Sequence, residues 1–454
     1  MHKIISDYYR CPERYIRLAV KGALSETEGY FRFGTEADCY GKYCNRRVSD
    51  SPENPLHDAL LDTTVADGTT ILPFDLAELV ENLRCERYAD DWRGGRLRSS
   101  LARLYYFVRP ALPFVARNYL KRFHLKGWEN QTFPRWPVDC SVDNVTAQIL
   151  QLAIQSQASG RVPFIWFWPE GASSCAIMTH DVETELGKGF CSNLMDIDDS
   201  FGIKASFQIV PEERYSVSPQ FLASIRERGF EVVVHDLNHD GHLYKDRDQF
   251  LLRAAKINAY RKKYGTDGFR AAVLYRKQLW YDALQFSYDM SVPNVAHLDP
   301  QHGGCCSVMP FFIGNILELP VTTTQDYMLF HILNDYSTSL WKRQIDLIME
   351  KHGLISFIVH PDYIMESRER VVYEELLAHL AELREKRNLW ITTPGEVNRW
   401  WRQRANMKIV EDGEDLRIEG AGNERARIAY ASEQNGRLIL TVQPGVADRM
   451  NSHV

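Results

Sequence analysis

The stretch CAIMTHDVE (175–183) runs from buried-strand residues straight into two carboxylates spaced two positions apart. Six similar runs follow it: KASFQIV (204–210), EVVVH (231–235), GFRAAV (268–273), NILELPVT (315–322), LISFIVHP (354–361) and NLWITTP (388–394). Their near-continuous Val, Ile and Phe fits strands buried on both faces. Amphipathic helical stretches lie between most of them. Ser218 and Pro219 read as a helix N-cap and first-turn proline, and Gly229 closes that helix before the next strand. Thr393-Pro394-Gly395-Glu396 has capping-box spacing and opens a last helix through Trp400 and Trp401. Strands alternating with helices predict a parallel α/β architecture, a barrel of about seven strands.

The flanks read differently. Beyond Met407 come LRI (416–418), RARIAYA (425–431) and RLILTV (437–442), with Asp412-Gly413 and Asn435-Gly436 as hairpin turn signals. Residues 407–454 are therefore expected to form a small antiparallel β module, and residues 165–405 the barrel. Residues 1–160 read as a mixed α/β or helical region. Within it, Arg93 to Lys126 holds nine Lys or Arg and no Asp or Glu, interleaved with aromatic and aliphatic residues. That pattern fits peripheral contact with an anionic inner-membrane surface. It equally fits a helix pair packed on the barrel with its arginines reaching solvent.

Composition bounds the partners. The 454 residues carry 44% apolar and 25% charged residues with a net charge of −6, the mix of a globular chain without the basic bias of a nucleic-acid binder. No apolar run is long enough to span a membrane. The charged start, MHKIISDYYRCPERYIR, argues against a signal peptide. Nine cysteines without CxxC pairs fit reduced thiols, so a cytoplasmic location is expected.

Two motifs carry chemistry. Asp181 and Glu183 emerge at a strand's carboxyl end, where parallel α/β folds bind ligands. The plainer reading makes Asp181 a helix cap and Glu183 a solvated side chain. His235-Asp236-Leu237-Asn238-His239 follows EVVV directly, and its two histidines approach one metal if the chain coils into a helical turn there. Two histidines with one carboxylate leave positions open for water, the arrangement of a catalytic metal site. His360 ends another core strand on the same side and suits a general acid, or else simply bonds a neighbouring loop. Arg270 and Asp289 also fall at strand ends, as a pair orienting a catalytic carboxylate or as a structural ion pair.

The series THDVE, HDLNH, GFR, YDMS and FIVHP resembles the five motifs of NodB-type polysaccharide deacetylases, the fourth carbohydrate esterase family, over about residues 165–405. The resemblance implies a distorted (β/α) barrel of about seven strands and a divalent metal held by one carboxylate and two histidines. It also implies removal of an acetyl group from a sugar or oligosaccharide. It assigns Asp181 as base, His235, His239 and Glu183 as metal ligands, Arg270 to the third motif, Asp289 to the fourth and His360 to the fifth. The first motif departs from the family's usual T-F-D-D, since Val182 fills the usual ligand position. The third departs too, with Ala271-Ala272-Val273 after the arginine. The expectation is a hydrolase of non-peptide carbon–nitrogen bonds using a divalent ion, with zinc the best match to the donors. Alternatives are a different metal-dependent amidohydrolase, a non-haem iron oxygenase, or a catalytically silent glycan-binding or scaffold relative.

Overall fold

Nine consecutive buried residues, Ser174–Val182, make the central strand β1. A strand covered on both faces is what an uninterrupted apolar run predicts. In chain order, β2 is Ser206–Ile209, β3 Glu231–His235, β4 Gly268–Arg270, β5 Tyr288–Asp289, β6 Phe311–Ile313, β7 Ile316–Glu318, β8 Leu354–Val359 and β9 Leu389–Thr392. The computed structural model describes residues 2–44, 48–91, 125–157, 159–412 and 415–443. The basic segment 93–126 lies outside the described residues except for its last two positions, and the Asp412-Gly413 turn also falls partly outside them.

The nine strands form one curled sheet in the order β6-β7-β5-β4-β3-β2-β1-β8, with β9 also paired to β1. Every pairing is parallel except the antiparallel β6–β7 edge. The segment after β7 reaches β8 through threonines. Thr322 Oγ1 accepts from Ser356 N at 2.9 Å and donates to Leu354 O at 2.7 Å. Thr323 N also donates to Ser356 O at 3.3 Å. These side-chain bonds stand where a regular ladder would close the circle, so the result is a distorted barrel.

Helices fill the connections. Ser218 caps Pro219–Glu227 by accepting from Phe221 N at 3.1 Å, and Gly229 follows at φ 79°, a conformation that costs glycine little. The last helix, Pro394–Asn406, starts differently from the expected capping box. Thr393 makes no cap bond, and Glu396 pairs with Arg399 instead. The capping carboxylate comes from the start of β3, where Glu231 accepts from Gly395 N at 2.8 Å and from the Tyr288 hydroxyl. An anion at a helix N-terminus satisfies its orphan amides whichever strand supplies it.

The flanking segments pack onto the barrel. Arg161–Ile165 pairs antiparallel with Ile428–Gln434, which in turn pairs with Arg437–Val442 across the turn at Asn435 and Gly436. Both turn residues have positive φ, as a tight hairpin requires. One apolar cluster runs from Ile5, Phe31 and Val145 through Trp168 to Ile177 and Trp400. The N-terminal segment therefore shares a core with the barrel.

Candidate metal centre

Side chains alternate along β1. His180 turns to the helix layer, where Nε2 lies 2.9 Å from Asp198 Oδ2 in a fully buried pair. Thr179 and Asp181 turn the other way and both meet Arg270 at the end of β4. Arg270 donates to Thr179 Oγ1 at 2.7 Å, to Asp181 Oδ1 at 2.6 Å and to Met290 O at 3.0 Å. Burial alone would raise the Asp181 carboxyl; Arg270, His235 and His360 outweigh it and hold the group below its ordinary range.

Glu183, one step past β1 on the same side, is surrounded by imidazoles. Its Oε1 lies 2.8 Å from His239 Nε2, 3.4 Å from His360 Nε2 and 3.7 Å from His235 Nε2. Burial pushes this carboxyl up, but the charge on His239 and the three imidazole contacts prevail, and it stays well below the usual value. Reciprocally, burial would lower His239, yet Glu183 raises it.

The chain reaches this arrangement by a route other than the helical turn that the sequence suggested. After His235 it bends, with Asp236 at φ 53° and His239 at φ 56°. Left-handed backbone at non-glycine residues costs free energy and needs compensation. Asp236 supplies it by accepting from Leu237 N at 2.7 Å and from Ala272 N at 3.3 Å. That second bond joins the histidine loop to the segment after Arg270. There Val273 and Leu274 take φ 59° and 51°, a strained pair where the sequence departs from the family pattern.

His235 Nδ1 faces Arg270 O at 3.1 Å, so the ring's proton is placed on that side. Its Nε2 is enclosed and, among the described residues, has no hydrogen-bond partner, while the equally enclosed Nε2 of His239 meets only Glu183 Oε1. Buried polar atoms are rarely left so, and each such case calls for a missing partner. Donor atoms of Glu183, His235 and His239 lie within 4.8 Å of one another, as do those of Asp181, Glu183 and His360. Two imidazoles with Nε2 turned inward and one carboxylate are a donor set that fits a divalent cation.

His360, just past β8, is held by a residue that the sequence reading did not single out. Asp326 accepts from His360 N at 2.6 Å, and its other oxygen lies 2.6 Å from Nδ1. Burial would depress this imidazole; Asp326 first, then Glu183, raise it well above its ordinary value. No motif surrounds Asp326 in VTTTQDY, and only the closure of β7 toward β8 brings it here.

The anticipated Arg270–Asp289 pair is not formed. Arg270 is spent on Asp181, and Asp289 accepts from the Tyr281 hydroxyl at 3.0 Å, Ser291 N at 3.0 Å and Ser291 Oγ at 2.8 Å. Asp289 sits in register with Glu318 on β7. Burial raises both carboxyls, and their mutual repulsion adds to the rise of Glu318. Asp289 thus belongs to a buried acid pair inside the sheet.

No protein-family model matches the chain, and no curated protein matches it. Solved structures do. A putative polysaccharide deacetylase from Mycobacterium smegmatis aligns over 56% of this chain and 98% of its own, at 17% identity and a TM-score of 0.43. Puue allantoinase aligns over 52% and 92%, at 13% identity and a TM-score of 0.40. The peptidoglycan deacetylase PdaC from Bacillus subtilis aligns over 50% and 90%, at 12% identity and a TM-score of 0.32.

Proposed function

We propose that this protein is a metal-dependent hydrolase that removes the acetyl group from an N-acetylated sugar. The observation that carries this reading is the convergence of the enclosed Nε2 atoms of His235 and His239 on one carboxylate oxygen of Glu183. Flanking them are a carboxylate held ionised by arginine and an imidazole held protonated by aspartate. A purely structural cluster has no need of both.

Glu183, His235 and His239 would hold the ion, which when bound polarises the acetyl carbonyl and makes water more acidic. Zinc suits these donors best. Asp181 is the base: Arg270 fixes Oδ1, leaving Oδ2, 3.8 Å from His235 Nε2, turned into the site to take the proton of an attacking water. His360 is the acid. Asp326 anchors Nδ1 and stabilises the imidazolium, so Nε2 carries the proton for the departing amine. Arg270 acts through Asp181 and Asp326 through His360; both are positioning residues. A cytoplasmic setting is part of the same proposal, supported by nine unpaired cysteines.

The test is metal content together with acetate release. Purified protein is expected to hold about one divalent ion per chain and to release acetate from N-acetylglucosamine oligomers. His239→Ala is expected to lose both while staying folded. Metal-loaded protein that releases no acetate from any N-acetylated sugar would overturn the assignment.

A further inference from the structure

The loop after β2 touches both chain segments that supply the proposed metal ligands. Tyr215 stands on this loop, and its hydroxyl donates to Val182 O at 2.6 Å while accepting from Val210 N at 2.9 Å. Val182 and Ile209 are the last register pair of β1 and β2, so the hydroxyl is inserted between the two strands just beyond it. The carbonyl it holds belongs to the peptide that leads into Glu183. Fixing that peptide fixes the direction in which Glu183 leaves the sheet.

Neighbouring residues of the same loop grip the histidine segment. Glu212 N donates to Leu237 O at 3.0 Å. Arg214 donates through Nε to Asn238 O at 3.2 Å and through Nη2 to His239 O at 2.5 Å. Nη2 also passes 3.5 Å from His239 Nδ1, the outer limit of a hydrogen bond. Successive carbonyls of Leu237, Asn238 and His239 thus all accept from Glu212 and Arg214. One edge of a guanidinium carries two donors in fixed geometry, which suits such a row. Both sides of the contact bear left-handed backbone, with Glu213 at φ 67° and His239 at φ 56°. Such conformations persist where surrounding contacts over-determine them.

Elsewhere the histidine loop is tied at Asp236 to Ala272 N and at Asp240 to Arg253. Arg214 and Tyr215 differ in joining this loop to the strand end that carries Glu183. Between their two contacts, Glu183 Oε1 and His239 Nε2 stand 2.8 Å apart. A shared cation needs both donors at one place, and a drift of about half an ångström already spoils such a site. We infer that Arg214 and Tyr215 are positioning residues of the proposed metal centre, a two-residue clasp that holds the Glu183 and His239 donors together. Neither is a ligand: Arg214 acts through His239, and Tyr215 acts through Glu183. This inference rests on reading those two residues as ligands.

The test is calorimetric binding of Zn²⁺ to the full chain after chelator treatment, for wild type, Tyr215→Phe, Arg214→Gln and His239→Ala. Tyr215→Phe removes one oxygen and Arg214→Gln shortens an exposed side chain, so both are expected to fold. Groups that orient metal ligands typically govern about ten- to hundredfold of the affinity, and each of these two variants is expected to raise the Zn²⁺ Kd by that factor. Losing a positive charge beside a cation would by itself strengthen binding, so a weaker Arg214→Gln reports lost geometry. Urea unfolding with and without Zn²⁺ gives the control. A merely structural role would lower the stability of both forms equally and leave the Kd as in wild type, and that result would overturn the clasp, each variant judging its own residue. His239→Ala marks the other failure. If it binds Zn²⁺ as wild type does, or if wild type binds none, the ligand reading falls and takes the clasp with it. If only His239→Ala loses the ion, the ligand reading stands and the clasp fails.

Discussion

Glu183→Gln and Asp181→Asn divide the labour of two carboxylates that share one strand end. The proposed ligands Glu183, His235 and His239 have donor atoms within 4.8 Å of one another. An ion equidistant from them sits no more than about 2.8 Å from each. At that distance a carboxylate attracts a divalent charge by about 3 kcal/mol even at the dielectric constant of water, and by more in a buried site. The amide is isosteric but neutral, so Glu183→Gln is expected to weaken metal affinity by at least about a hundredfold. Activity should return partly as metal is added in excess, because occupancy is what was lost. Asp181→Asn should keep the metal, since Asp181 is committed to Arg270 through Oδ1. Its acetate release should fall at least about a hundredfold at every metal concentration, the low end for a general base. Elemental analysis and acetate release across one metal titration measure both. If Asp181→Asn loses the ion while Glu183→Gln keeps ion and rate, the roles are reversed and the reasoning fails.

Three further outcomes are expected. His360 is raised by Asp326, so it stays protonated to higher pH and loses its acid function only as pH climbs through that raised value; Asp326→Asn should move the alkaline limb of kcat/KM to lower pH, and an unmoved limb would exclude the pair from the reaction. Burial lowers His297, stacked on Trp136, to about 4, so it folds neutral and its contribution is intact above the unfolded value near 6.5 and lost as pH falls toward 4. That window corresponds to about 3 kcal/mol, and His297→Asn should flatten acid destabilisation in urea melts between pH 7 and 4; parallel losses in both proteins would contradict it. Thr322→Val leaves Ser356 N–H and Leu354 C=O without their partner at the barrel seam and should cost about 2–4 kcal/mol in urea unfolding, whereas Thr322→Ser should cost far less.

The sequence made the long strands legible because burial on both faces leaves an apolar signature, and each of the seven quoted runs contains a strand. Phe311–Ile313 escaped a strand reading because three residues are too few for any period to show, and the two-residue Tyr288–Asp289 showed only as a strand end at Asp289. In the site, THDVE and HDLNH were visible because their residues are close in sequence. Asp326 was invisible because its link to His360 spans the closure of the sheet and depends on no local pattern. The same limit produced the expected Arg270–Asp289 pair: both ends of β4 and β5 carry opposite charges, and only the fold shows that Arg270 points across to β1. The capping box at Thr393 failed likewise, since spacing alone does not reveal that Glu231 competes for the same amides.

The antiparallel pairing of Arg161–Ile165 with Ile428–Gln434 has a consequence for biosynthesis. The first of these strands is made before any part of the barrel, and its partner only after all of it. While the barrel is being translated, Arg161–Ile165 carries an unsatisfied edge that invites other strands. A nascent chain of this protein is thus exposed to mispairing for the whole time that its barrel takes to emerge. Chains cut short between residues 360 and 428 would keep that edge permanently, and should be found in aggregates even though every residue of the candidate metal centre has already been made.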